Sequence, residues 1–111
     1  MDGNRTGFRM GRLADSGPAP GTGENFNDLL GFGGTRIEHI VSSDTPDTAP
    51  QVQDHHEWVL LSSGSAALKV AGQLVRLEAG DWVWIPGGVE HRVLSTAKGS
   101  EWIAVHISGE A

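Results

Sequence analysis

The chain has no cysteine, which excludes disulfides, zinc ribbons and thiol nucleophiles. No apolar run approaches the roughly 20 residues that a membrane-spanning helix requires. There is no basic stripe either. The net charge is −6, and residues 1–24 set Arg5, Arg9 and Arg12 against Asp2, Asp15 and Glu24. The acidic excess therefore lies in 25–111. Phosphate contacts need Lys and Arg, so nucleic acid is excluded as an expected partner, as is a membrane. Met1-Asp2-Gly3-Asn4-Arg5 has no apolar h-region, and the expected location is cytoplasmic. Heptads, internal repeats and long helical patterns are also missing.

What is present suits one soluble globular domain. The 111 residues are 38% hydrophobic and 20% charged, enough to bury a core. Sixteen glycines announce many tight turns. Residues 1–24, with Gly-Pro-Ala-Pro-Gly at 17–21, read as a flexible arm and 25–111 as the ordered domain. Asn25 to Gly31 reads as a single helical turn, capped by Asn25 and stopped by Gly31. Beyond it the pattern is β. Short runs at 36–41, 51–53, 57–61, 66–70, 74–77, 82–85, 92–94 and 102–107 are rich in Val, Ile, Leu and Trp, with Gly, Pro, Asp and Ser between them. About eight short strands without a long helix predict an all-β sandwich or jelly-roll barrel.

One stretch is more specific. Gly80-Asp81-Trp82-Val83-Trp84-Ile85-Pro86-Gly87-Gly88-Val89-Glu90-His91 resembles the second sequence motif of the cupin family. That motif is Gly, five residues, Pro, one residue, Gly, two residues, His, three residues, Asn. Gly80, Pro86, Gly88 and His91 match, while Ser95 stands at the Asn position. The first motif is half present: Glu57 and Gly64 have the right separation, but its two His positions fall on Gln51 and Gln53. The resemblance implies a cupin double-stranded β-helix, a jelly-roll β-barrel. It also implies one divalent transition metal (Zn, Fe, Mn or Ni), a small-molecule ligand, a homodimer and isomerase or dioxygenase chemistry. Similar small cupins carry a mannose-6-phosphate-isomerase-like label, which rests on fold analogy.

The candidate metal ligands are His55, Glu57 and His91, with Gln51, Gln53 and His106 as pocket-lining residues. Alternation along the strand puts Gln51, Gln53, His55 and Glu57 on one side. Glutamine offers only a neutral amide oxygen, a poor ligand for zinc, iron or copper. A metal-free pocket built on the same residues is therefore the competing expectation. A third is a sugar-phosphate isomerase or epimerase using His91 and Glu57 as acid and base. Ile103, Val105 and Ile107 look like the core face of the last strand, which would put His106 outside; a site inside the barrel would bring it in. Glu38 and His39 read as a surface pair. The four tryptophans read as core packing and a dimer face.

Overall fold

Short apolar runs separated by glycine turns give eight antiparallel strands in the computed structural model, which describes residues 7–109. Residues 1–6 of the expected arm and 110–111 lie outside the described residues. The strands are β1 (Glu24–Phe32), β2 (Thr35–Ser42), β3 (His56–Ser63), β4 (Ser65–Val70), β5 (Gln73–Glu78), β6 (Trp82–Ile85), β7 (His91–Thr96) and β8 (Glu101–Ile107). They form a jelly roll of two sheets, ordered β1-β2-β8-β3-β6 and β5-β4-β7. Among the described residues no helix is long and apolar enough to cross a membrane.

The core lies between the sheets. The larger sheet contributes Ile40, Val59, Leu61, Trp102 and Ala104, and the smaller one Ala66, Leu68 and Leu77. Removing the Ile, Val and Leu side chains among them from water stabilises a fold by about 1.5–3 kcal/mol each. Trp102 also donates its indole N–H to the Ser42 hydroxyl at 3.0 Å, so its polar atom is satisfied inside.

Several expectations change. Asn25 to Gly31 is not a helical turn but part of β1, which pairs with β2 from Glu24 opposite Ser42 to Phe32 opposite Thr35, with one bulge between Asp28 and Leu30. The cap-like Asn and stop-like Gly are local signals worth about 1 kcal/mol; a ladder of this length outweighs them. Residues 51–53 do not form a strand, and only Gln51 makes a bridge, with His91. Glu38 and His39 are not a surface pair. Both are buried, and they point to opposite sides of β2. His39 donates Nε2–H to Glu101 at 2.8 Å and accepts the Ser16 hydroxyl on Nδ1 at 2.7 Å. Ser16 ends a 3₁₀ turn, Leu13–Ser16, so this bond joins the N-terminal segment to β2. On β8 the inner face is Trp102, Ala104 and His106, all buried. Alternation alone suggested Ile103, Val105 and Ile107. Both faces of this strand are apolar, because the outer surface of the larger sheet also carries tryptophans. Trp82 and Trp84 are exposed there, with Trp58 against Trp82 and His56 stacked on Trp84.

Candidate functional site

The barrel encloses a cavity of about 260 Å³. Ile40, Val59, Leu68, Ile85, Val93 and Trp102 form its apolar walls. Glu24, Arg36, Glu38, Glu57 and Arg92 border it with charged residues, and Gln51, Gln53, His91 and His106 with neutral polar groups. Of the residues singled out from sequence, Gln51, Gln53, Glu57, His91 and His106 line this space. His55 does not; it stands behind His106, edge-on, with ring centroids 4.9 Å apart.

The turn after β6 holds this arrangement together. Gly88 donates its N–H to the Gln53 carbonyl at 2.7 Å, and Gly87 donates to His56 Nδ1 at 2.9 Å. Gly88 has φ +86, in the left-handed region. A Cβ on Gly87 would lie 2.6 Å from the Asp54 carbonyl oxygen, so the two backbones meet only because Gly87 has no side chain. Gln51 then exchanges two backbone hydrogen bonds with His91, at 2.8 and 3.0 Å. These contacts fix the irregular stretch 51–55, although only Gln51 pairs with a strand.

Three side chains converge at the polar centre. Gln53 donates its amide N–H to Glu57 Oε1 at 3.0 Å. The same nitrogen faces His91 Nε2 at 3.4 Å. His91 Nδ1 lies 3.0 Å from the Val89 carbonyl, and a carbonyl only accepts, so the proton sits on Nδ1 and Nε2 presents a lone pair. The two hydrogens of one amide group thus serve a carboxylate and an imidazole together.

A second chain of bonds runs along the wall. Arg36 donates to Asp28 at 3.1 Å and to Glu38 Oε2 at 3.2 Å. His106 donates Nε2–H to Glu38 Oε1 at 3.0 Å, and its Nδ1 accepts from His55 Nε2 at 2.8 Å. The His106 hydrogen bond is the main reason the Glu38 carboxyl is held below its ordinary value; burial opposes this, and Arg36 adds to it. Glu24 moves the other way. Burial raises its carboxyl, the Ser42 hydroxyl works against that, and the negative charges of Asp47, Glu38 and Glu57 add to the rise.

A transition-metal centre in such a barrel needs about four converging ligands. Among the described residues no three His, Cys, Asp or Glu side chains are grouped to hold a metal ion. The donor chemistry explains why. Glu57 and His91 both face the Gln53 amide, while both nitrogens of His106 are committed to Glu38 and His55. The side chains present do not fit the metal that the sequence resemblance implies.

Sequence reading missed Glu24, Phe26, Arg36 and Glu38 as lining residues. A signal for two of them existed: Arg36, Glu38 and Ile40 alternate with period two, so an inward Ile40 brings both charges inside. Phe26 was hidden by the helical reading of Asn25 to Gly31, and Glu24 by its place at the end of the expected arm.

Residues 40–106 match the cupin domain family. No curated protein matches the chain. A crystal structure from Ralstonia eutropha, provisionally described as a mannose-6-phosphate isomerase, is 32% identical with a TM-score of 0.79, over 91% of this chain and 99% of that one. An RmlC-like cupin from Shewanella frigidimarina is 20% identical with a TM-score of 0.74, over 94% and 92%. Salicylate 1,2-dioxygenase from Pseudaminobacter salicylatoxidans is 16% identical with a TM-score of 0.70, over 79% of this chain and 28% of the enzyme.

Proposed function

This chain belongs to the cupin family, and from that premise we propose that its barrel binds a small, hydroxyl-rich molecule through its own side chains, without a metal. The observation that carries this reading is the Gln53 amide held between Glu57 and His91. It supplies the donor between two acceptors where a cation would otherwise be needed.

The charge of the walls narrows the ligand. Three carboxylates, Glu24, Glu38 and Glu57, border the cavity against two cations, Arg36 and Arg92, and the Arg36 guanidinium is already shared between Asp28 and Glu38. An anionic group placed among these carboxylates meets repulsion in a low-dielectric space. A neutral polyol or an amine is favoured, with hydroxyls or ammonium toward Glu57, Gln51 and Gln53 and an apolar face against Leu68 and Trp102. The volume, about 260 Å³, is just under the roughly 300 Å³ at which drug-sized sites begin, which suits a guest the size of a monosaccharide. The Ralstonia relative suggests a sugar phosphate. The sugar part suits this cavity and the phosphate does not.

Thermal-shift measurements in the presence of a chelator test the proposal. Monosaccharides, polyols, amino sugars and sugar phosphates form the panel. A saturable rise in Tm is expected from neutral or amino compounds, and Gln53→Ala is expected to abolish it. The reading fails if only phosphorylated sugars stabilise the protein, or if stabilisation requires added metal.

A further inference from the structure

The domain is acidic, yet three of its cations stand on one face, with Glu78 beside Arg76 on the same side of β5. Lys69, Arg76 and Arg92 stand on β4, β5 and β7, one on each strand of the smaller sheet. Leu68 faces Val75 on one neighbour and Val93 on the other, and all three pack in or against the core. The next positions therefore turn outward. Lys69 lies directly opposite Arg92 and opposite Leu74, two residues from Arg76. The fold thus gathers on one outer face three cations that are scattered along the chain. Among the described residues none of the three makes an ion pair within 4.0 Å.

Two features of this face are costly as they stand. Like charges directly opposite on neighbouring strands repel. The Arg92 Nε is buried and has no hydrogen-bond partner among the described residues, and an unsatisfied buried donor is destabilising. Both costs arise beside a cleft of about 150 Å³ lined by Lys69, Gly72, Glu90, His91 and Arg92. A Cβ built on Gly72 meets nothing within 4 Å, so the cleft is open at that end. Among the described residues Glu90 is the only carboxylate on its lining.

We propose that this cleft is a binding site for a small oxyanion, a phosphate or carboxylate group, seated between Lys69 and Arg92. Such a group accepts from the terminal N–H groups of the Arg92 guanidinium and from the Lys69 ammonium, and places negative charge between the two cations. Arg76 adds to the field from the neighbouring strand. Three cations gathered in one patch suit a single anion; they do not form the extended track that a nucleic-acid backbone requires. His91 and Arg92 border the barrel cavity as well as this cleft, whereas Lys69, Gly72 and Glu90 belong to the cleft alone.

Titration of the full-length protein with inorganic phosphate, sulfate and acetate, each against chloride at constant ionic strength, tests the proposal by amide NMR. Saturable shifts centred on Lys69, Gly72 and Arg92 are expected, with a Kd below about 10 mM for at least one oxyanion. The phosphate and acetate arms distinguish the two ligand chemistries. Arg92→Gln is expected to weaken binding at least tenfold, Glu90→Gln to strengthen it and Gln53→Ala to leave it unchanged. A second readout needs no ligand assignment: Lys69→Gln is expected to raise Tm in anion-free buffer, a gain that disappears as the favoured oxyanion is added. Shifts no larger than those from chloride, or binding unaltered in Arg92→Gln, overturn the proposal.

Discussion

Glu24 and Glu38 face one cavity from neighbouring strands, and their proton affinities move in opposite directions. The consequences for stability are opposite too. Glu38 is held low by His106, so its contribution is present above the ordinary carboxylate range and is lost as pH falls through its folded value. Glu24 is raised by burial. It favours the folded state in acid, and that advantage is lost as pH rises, because the unfolded chain ionises more readily. Glu38→Gln is therefore expected to cost about 1.5–3 kcal/mol at pH 7, with the deficit closing toward pH 3. Glu24→Gln is expected to stabilise at pH 7 and to be neutral near pH 4. Urea denaturation across this range checks both; a Glu24→Gln protein equally destabilised at pH 4 and pH 7 would contradict the assignment. Neither carboxylate stood out in the sequence. Glu38 was paired by adjacency with His39, although neighbours on a strand face opposite ways, and Glu24 closed a segment that looked like linker.

At the scale of elements, the Pro86–Gly88 turn organises the site. Its backbone donors hold Gln53 and His56, and the bridge between Gln51 and His91 follows from that hold. Gly87→Ala is expected to push the turn away from Asp54, lowering stability by about 1–3 kcal/mol and weakening ligand binding beyond that loss. A variant that keeps wild-type Tm and affinity would show that the close approach is unimportant. This element was legible because its chemistry is local: a glycine turn, an apolar strand, a proline that ends it and a histidine on the return. The same local logic misread Asn25 to Gly31. There the decisive partner, β2, lies across a turn, and a ladder of hydrogen bonds between segments leaves no mark within either one. The segment 51–55 is similar, since its order comes from a loop more than thirty residues later in the chain.

At the scale of the whole molecule, the two-sheet jelly roll and the inward placement of Glu57 and His91 followed from period-two patterns and motif spacing. The orientation of β8 did not, because an apolar outer surface on the larger sheet makes both faces of that strand look like core. The basic face of the smaller sheet was invisible for a related reason: Lys69, Arg76 and Arg92 become neighbours only when three strands pair. Metal-free binding in the barrel depends on the Gln53 amide standing between Glu57 and His91. The most direct measurement is a crystal structure from protein soaked with manganese or zinc together with the best ligand of the thermal-shift panel, with anomalous data collected for the metal. The predicted result is an organic molecule in contact with Gln51, Gln53 or Glu57, an intact Gln53–His91 contact and no anomalous peak within bonding distance of His91 Nε2. An anomalous peak bound by Glu57 and His91, with the Gln53 side chain swung aside, would contradict it.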